Sequence, residues 1–208
     1  MSHINAREIF IDSILELIKT KSFDEITVSS IVEYSGVSRQ SFYNYFRDKY
    51  DLVNQIYDHD LKMAINDLQS YGIYTDSRIE ASIEGMSGKR TFYNKVLKYS
   101  GQNALMYHIK EVAYSAHKEI VLSHISAMPK YNKLPVQKIP YLLNFHANCA
   151  TLAVIDWVTS DTYMPPREVA ALIIDSIPRM LKPCYTFSRA IECGMCPEKD
   201  IYPNPWIF

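Results

Sequence analysis

Four side chains suited to nucleic-acid recognition lie close together in residues 38–46: Arg39, Gln40, Tyr43 and Asn44. If this segment is helical, their spacing places all four on its outward face. Guanidinium and amide groups can form hydrogen bonds with base edges, and arginine and tyrosine can also hold phosphate oxygens. The residue types therefore predict a surface that reads DNA.

The surrounding residues, 27–49, predict two short helices joined by a tight turn. Thr27 can cap a first helix from about Val28 to Tyr34, and Ser38 can cap a second helix that runs to about Phe46. Gly36 marks the turn, where a positive φ is often needed. The inward side of this pair is expected to hold Ile31, Val37, Phe42, Tyr45 and Phe46.

A preceding helix is expected to complete the unit. Asn5 can cap it, and Glu8 has the spacing of a capping-box partner. Apolar residues then recur on one face, and an apolar loop returns the chain to the same core; these residues are Ala6, Phe10, Ile14, Leu17, Ile18, Phe23 and Ile26. Three helices around a small core, with the third exposed, is the minimal helix-turn-helix domain.

Residues 9–53 resemble the N-terminal domain of the TetR family of bacterial repressors. The matching residues are Phe23, Thr27, Gly36-Val37-Ser38, Phe42-Tyr43-Asn44-Tyr45-Phe46, Lys49 and Leu52-Val53. The departures are Ser22, Val32, Ser35 and Ser41, where the family usually has glycine or alanine. We expect Tyr43 and Lys49 to hold phosphates, and Arg39, Gln40 and Asn44 to face bases. The remaining expected DNA contacts are Thr27, Ser38 and Ser41.

The charge balance indicates only a local basic surface. The formal net charge is −1, and the first sixty residues contain six basic and ten acidic side chains. Arg39, Arg47 and Lys49 face one acid, Asp48, across the segment expected to meet DNA. The helix N-termini at Ser38 and near Asp48 could add backbone donors for phosphates. Non-specific affinity should therefore be weak and strongly salt-dependent.

The rest of the chain also predicts helices, so the fold class is all-α. Helices are expected over about 49–70, 76–84, 89–99, 103–128, 141–159 and 167–181, with breaks at 85–88, at Gly101 and over 129–140. We divide the chain into a helix-turn-helix domain (1–48), a helical ligand-binding and dimerisation domain (49–182) and a packed aromatic tail (183–208). The order and lengths of these helices resemble the regulatory domain of TetR-type proteins.

The last two helices are unusually apolar, which favours a homodimer built from two helices of each chain. The residues expected in its interface are Leu142, Leu152, Ile155, Leu172, Ile173 and Ile177.

A small-molecule effector site is expected between the central helices. Its polar groups would be Tyr107, Tyr114, His117, His146 and Trp157, with apolar walls from Leu105, Met106, Leu152 and Val154. This mixture is typical of a small-molecule pocket, and the lack of a Lys or Arg cluster favours a neutral or partly aromatic ligand. The alternative is a solid core, since aromatic side chains also fill interiors. Residues 89–93 and 146–157 resemble the dihydroxyacetone-kinase regulator branch of the family.

The cysteines in the tail are expected to be reduced thiols. Cys193 and Cys196 form a C-x-x-C motif near Cys184, but a structural zinc site needs four ligands and a thioredoxin-like motif belongs beside a βαβ unit. Redox sensing and metal binding remain alternatives. We expect no metal and no cofactor, since there is no glycine-rich phosphate loop and no locally spaced nucleophilic triad.

Three functional hypotheses follow. The first is a ligand-responsive repressor that binds a double-stranded DNA operator as a homodimer. The second is a co-activator that works mainly through a protein partner. The third is an all-helical enzyme with a vestigial DNA-binding domain, against which the exposed polar face of residues 39–44 argues. With no apolar run long enough to cross a membrane and no secretory signal, a cytoplasmic, non-enzymatic protein without membrane contact is expected.

Overall fold

The computed structural model describes residues 5–69, 75–127, 136–162 and 164–185. Within these ranges every regular element is helical, so the predicted all-α class is confirmed. The helices are α1 (Ala6–Thr20), α2 (Val28–Ser35), α3 (Arg39–Tyr45), α4 (Lys49–Gln69), α5 (Thr75–Ser87), α6 (Arg90–Leu97), α7 (Leu105–Ala127), α8 (Ile139–Thr159) and α9 (Pro166–Asp175), with a 3-10 turn at Val136–Lys138 before α8. Cys193 and Cys196 lie outside the described residues.

The predicted break at Gly85 is wrong, because α5 continues through this residue to Ser87. A glycine is needed there for close approach rather than for a turn. A Cβ atom built on Gly85 would lie 2.9 Å from the carbonyl oxygen of Asp60 in α4, which is too close for any other residue. The sequence therefore lets α4 and α5 pack with their backbones nearly in contact.

The last helix is shorter than predicted. It ends at Asp175 rather than near Leu181, and the Ser176 N–H closes it on the carbonyl of Leu172. Pro178 follows, and it has no N–H with which to continue the helical ladder. Ile177 and Leu181 therefore lie beyond the helix.

The main core runs without interruption from the N-terminal helices into the regulatory half. It begins at Phe10 in α1, continues through Leu52 and Ile56 in α4, and reaches Val158 and Ile173 in α8 and α9. A second, smaller core lies between α7, α8 and the segment after α9; it contains Val121, Ile139, Leu143, Ile177, Leu181, Cys184 and Tyr185. Helix α4 therefore packs both against the N-terminal helices and against the helices of the regulatory half.

Candidate functional site

Side-chain caps set the two helices of the helix-turn-helix. The Thr27 hydroxyl accepts from the Ser30 N–H at 3.1 Å, and the Ser30 hydroxyl accepts from the Thr27 N–H at 3.0 Å, which completes a capping box. Gly36 has a φ of 65°, a conformation that other residues rarely adopt. The Ser38 hydroxyl accepts from the Ser41 N–H at 3.1 Å and so fixes the start of α3.

The recognition helix α3 is anchored from below by aromatic contacts. Phe42 is fully buried, and its ring meets that of Phe10 edge to face with a centroid distance of 5.2 Å. Phe46 is also buried, but Tyr45, which was predicted to point inward, is 39% exposed. At 100° per residue Tyr45 lies about 60° from the direction of Phe42, at the edge of the buried stripe, and α3 ends there.

The opposite face of α3 is exposed at Arg39, Gln40, Tyr43 and Asn44. The Arg39 guanidinium donates to the Tyr43 hydroxyl at 3.1 Å and to the Ser29 hydroxyl of α2 at 2.8 Å. It also lies 5.6 Å from the centroid of the Tyr43 ring. These contacts orient the guanidinium at the surface, and base or phosphate oxygens can replace its hydroxyl partners. Sequence reasoning missed Ser29, although its spacing from Thr27 places it on the exposed side of α2.

Lys49 was expected to hold a phosphate, and in this structure its ammonium group is hydrogen-bonded within the protein. Its Nζ donates to the carbonyl oxygens of Ile26 at 2.7 Å, Phe23 at 2.8 Å and Asp24 at 3.4 Å. An ammonium has three donors, so all of them are directed into the loop before α2. Burial lowers the pKa of Lys49. Lys49 therefore stabilises the DNA-binding domain by holding the loop before α2.

The start of α4 is likewise occupied. The Asp48 carboxylate accepts from the N–H groups of Tyr50 at 2.9 Å and Asp51 at 2.8 Å. Arg47 pairs with Asp51 at 3.1 Å on the surface. The backbone donors that were expected to meet phosphate near Asp48 are therefore already capped by a carboxylate.

Helix α6 bridges the regulatory helices and the DNA-binding domain. At its beginning the Arg90 guanidinium donates to the carbonyl oxygens of Trp157 at 2.7 Å and Ser160 at 2.9 Å, at the C-terminal end of α8. Near its end the Lys95 ammonium donates to the carbonyl oxygen of Ile18 at 2.6 Å, in the last turn of α1. Both cations lie where helix C-termini are negative. A displacement of α8 can therefore reach α1 through α6.

A cavity of about 270 Å³ lies among α4, α5, α7 and α8. The residues that line it are mostly apolar: Tyr57, Leu61, Ile79, Ser82, Met86, Ile109, Val112, Ala113, Ala116, His117, Ile120, Ala150, Thr151, Val154, Ile173 and Tyr185. The central helices thus enclose space instead of packing solidly.

The structure brings only part of the predicted ligand set to this cavity. His117 lines it, and His146 lies behind His117 with 4.5 Å between the ring centroids. The other three predicted residues do not line the cavity. Tyr107 is exposed on the surface, and Tyr114 is half-buried beside the smaller core. Trp157 is buried, and its indole N–H donates to the carbonyl oxygen of Met164 at 2.7 Å.

The predicted apolar walls of the cavity are also only partly correct. Val154 lines the cavity, whereas Leu152 is exposed on the outer side of α8. Sequence reasoning missed Tyr57, Thr151 and Tyr185. The apolar spacing along α4 could have indicated that Tyr57 faces inward. No sequence pattern links Tyr185 to His117.

Buried polar groups line the cavity or lie directly behind it. The Tyr185 hydroxyl is hydrogen-bonded to Nδ1 of His117. Burial, aided by the neighbouring His146, lowers the pKa of His117 to about 3, and burial also lowers the pKa of His146. Both ring nitrogens of His146 and the hydroxyl oxygen of Thr151 are buried without a hydrogen-bond partner. Buried polar atoms of this kind usually have a partner, and of these two residues Thr151 lines the cavity.

The residues predicted for a dimer interface separate into two groups. Leu152 and Leu172 are 54% and 58% exposed, and Ile155 is partly buried. Tyr141 and Phe145, also exposed, extend the same stripe of α8. The exposed sides of α8 and α9 therefore carry large apolar groups that the protomer leaves uncovered.

The other three predicted interface residues face inward. Ile173 and Ile177 lie inside the cores of the protomer, so their assignment to a subunit interface is wrong. Ile173 lies in α9, which packs against α5 and α8, and Ile177 lies in the smaller core with Val121 of α7. Leu142 is partly buried against the smaller core.

Two further observations concern the described residues alone. They contain no group of three or more His, Cys, Asp or Glu side chains that could hold a metal ion. None of the helices in these ranges is long and apolar enough to cross a membrane.

Both halves of the chain match known protein families. Residues 10–56 match the family described as "Bacterial regulatory proteins, tetR family". Residues 77–179 match the family described as "Transcriptional regulator C-terminal region". The first match covers most of α1 and continues into α4, and the second covers most of α5 and all of α6 to α9.

Individual relatives agree with these matches. The chain is 31% identical over 68 residues to the HTH-type dhaKLM operon transcriptional activator DhaS of Lactococcus lactis; the aligned part covers 33% of this chain and 36% of that protein. The solved structure of a dihydroxyacetone kinase operon activator DhaS is similar at 16% identity and a TM-score of 0.61, covering 86% of this chain and 97% of that one. A tetR-family regulator from Streptomyces coelicolor is similar at 15% identity and a TM-score of 0.53, covering 95% and 92%.

Proposed function

Because the chain belongs to the TetR family of DNA-binding transcription regulators, we propose that it is a ligand-responsive repressor that leaves its operator when a small-molecule effector binds. The observation that carries this proposal is the exposed face of α3, where Arg39, Gln40, Tyr43 and Asn44 stand on a core of buried aromatic rings. This is the arrangement by which a recognition helix enters the major groove. As a DNA-binding regulator, the protein would work in the bacterial cytoplasm.

The repressor is proposed to bind as a homodimer. The uncovered apolar sides of α8 and α9, including Leu152 and Leu172, give a surface that two-fold pairing would bury. Two-fold symmetry would then place two α3 helices one or more turns of DNA apart, which implies a near-palindromic operator.

The effector is proposed to occupy the cavity between α4, α5, α7 and α8. Residues of α4 form one wall of this cavity, and the same helix begins in the DNA-binding domain. A ligand that favours the arrangement of α4 incompatible with DNA would release the operator, whereas equal affinity for both arrangements would shift nothing.

The test is a footprinting and gel-shift experiment on the DNA upstream of the chain's own coding region, with and without candidate metabolites. We expect a protected near-palindrome whose occupancy falls when the effector is added. The variant Arg39→Ala/Gln40→Ala should lose the protected site, while Gln137→Ala, an exposed change in the turn before α8, should retain it. Equal retardation of all DNA sequences by the wild-type protein would contradict the proposal.

A second candidate is an activator that works through a protein partner, and it is favoured by the names of both DhaS relatives, which describe activators. The two candidates differ in the sign of the response. In transcription from the identified promoter in vitro, a repressor lowers the amount of transcript by itself. An activator of this kind raises it only when the partner protein is supplied.

A further inference from the structure

We propose that the cavity between α4, α5, α7 and α8 binds an uncharged, mostly aliphatic alcohol of about nine non-hydrogen atoms, with its hydroxyl at the Thr151 side chain. This inference deepens the proposed function, because it names the chemical class of the effector. It rests on three properties of the cavity: its size, its lack of charge and the unpartnered Thr151 hydroxyl in its wall.

The size and shape of the cavity limit the ligand to a small elongated molecule. Its volume of about 270 Å³ equals that of about nine waters at 30 Å³ each. The cavity follows α7 from Ile109 to Ile120. At a rise of 1.5 Å per residue, Ile109 and His117 are separated by about 12 Å along the helix axis. A linear chain fits this space better than a fused ring system.

The lining carries no formal charge. None of the lining residues is Asp, Glu, Lys or Arg, and most of the surface is aliphatic or alanine. His117 stays neutral near pH 7, because burial lowers its pKa to about 3. A carboxylate or an ammonium group would lose its hydration here without gaining an opposite charge, which is strongly unfavourable.

One side chain in the cavity wall lacks a hydrogen-bond partner that a ligand could supply. Thr151 is 3% exposed and lines the cavity, and its hydroxyl does not use the carbonyl of the preceding helical turn, as threonine often does. Leaving such a hydroxyl unsatisfied costs free energy, so a polar atom of the ligand is expected beside Thr151.

A hydroxyl matches Thr151 better than a carbonyl or an ether. The threonine hydroxyl can both donate and accept. An alcohol complements both functions with a single group, whereas a carbonyl or ether oxygen can only accept. The remaining walls of the cavity, including Ile109 and Val154, offer aliphatic contacts for the chain.

The first experiment measures binding by isothermal titration calorimetry with the full chain and no DNA. The probes are 1-octanol, dibutyl ether, octanoate and octylammonium, which are similar in size and differ in charge and hydrogen bonding. We expect 1-octanol to bind at least tenfold more tightly than each of the other three. Binding of octanoate or dibutyl ether as tightly as 1-octanol, or no binding of any probe, would overturn the proposal.

The second experiment locates the hydroxyl with matched variants. Thr151→Val keeps the shape of the side chain and should weaken 1-octanol binding about tenfold, and it should weaken dibutyl ether binding less, because the ether can only accept from Thr151. Thr159→Val is the control on the same helix, since the Thr159 hydroxyl is bonded to the Ile155 carbonyl at 2.8 Å, and it should bind like the wild type. Ala113→Phe should fill the cavity and abolish binding. Equal affinities for 1-octanol in Thr151→Val and Thr159→Val would contradict the assignment.

The outcome is separable from that of the proposed function. If 1-octanol binds but no operator is found, the ligand class stands and repression fails. If the operator is released by another compound while 1-octanol does not bind, repression stands and the ligand class fails.

Discussion

The Lys49 ammonium nitrogen lies 2.7 Å from the carbonyl oxygen of Ile26, so the first residue of α4 holds the chain that enters α2. The same nitrogen lies 4.5 Å from the centroid of the Phe23 ring, which covers the contact from one side. The long helix that runs into the regulatory half therefore begins as part of the support of the helix-turn-helix.

Replacement of Lys49 should affect folding before it affects DNA. We expect Lys49→Met to lower the free energy of unfolding by about 1–3 kcal/mol, because charged hydrogen bonds to partly buried carbonyls are lost. Urea denaturation measures this change, and Lys21→Met, an exposed lysine nearby, should stay within about 0.5 kcal/mol of the wild type. Unchanged stability combined with a smaller salt dependence of DNA binding would instead assign the ammonium to phosphate.

Arg39 and Gln40 should determine sequence preference. Arg39→Ala or Gln40→Ala is expected to lower discrimination by about 1–3 kcal/mol at particular base pairs, because each removes hydrogen bonds to base edges. Tyr43→Phe should give a smaller loss, since it removes the hydroxyl that accepts from Arg39 and keeps the ring. Binding to a set of single-base operator variants measures all three, and a uniform loss over every variant would place these side chains on phosphates.

The exposed leucines of α8 and α9 should hold the dimer together. Leu152→Glu and Leu172→Glu are expected to yield folded monomers at micromolar concentration in sedimentation equilibrium, because a buried unpaired carboxylate is unfavourable at a subunit interface. Leu122→Glu, an equally exposed leucine on α7, is the control and should remain a dimer. A wild-type monomer, or dimers in all three variants, would contradict the assignment.

The stability of the protein should decrease in mild acid because of His117. Its pKa is lowered to about 3 in the folded protein but is near 6.5 in the unfolded chain, so the unfolded state binds more protons between these values. Stability therefore rises with pH through this window and is fully present above about pH 6.5. We expect this histidine to cost about 1–2 kcal/mol between pH 7 and pH 5.

The contribution of His117 is isolated by comparing pH dependences. His117→Gln should unfold with a shallower dependence of its free energy on pH over this range. His59→Gln, whose side chain is exposed, should keep the wild-type dependence. Parallel curves for the wild type and His117→Gln would show that other groups dominate.

Helix α6 should transmit the effector response. Lys95→Met removes the hydrogen bond to the Ile18 carbonyl in α1, and we expect it to reduce the ratio of operator affinities without and with effector by about 3- to 30-fold, the range of typical coupling effects. Lys98→Met, an exposed lysine next to α6, should keep the wild-type ratio. Operator titrations with and without effector measure the ratio. A Lys95→Met protein that matches the wild type would exclude this route.

The sequence by itself determined the local structure of the DNA-binding half. Thr27 and Ser38 cap their helices through their own hydroxyls, and Gly36 adopts the positive φ. The spacing of apolar residues indicates the buried side of each helix, for example Phe10 in α1 and Phe42 in α3. Each of these features depends on residues a few positions apart or on one regular helix, so pattern alone is sufficient.

Only the tertiary structure decided which apolar face is covered by which neighbour. The adjacent residues Leu172 and Ile173 look alike in sequence, yet one is exposed and the other lies in the core, because α5 and α8 cover a single side of α9. The partners of Lys49 and of His117 are 23 and 68 residues away in the chain. Helical periodicity states which residues share a face, but it contains no information about what packs against that face, and this depends on the long-range arrangement of the helices.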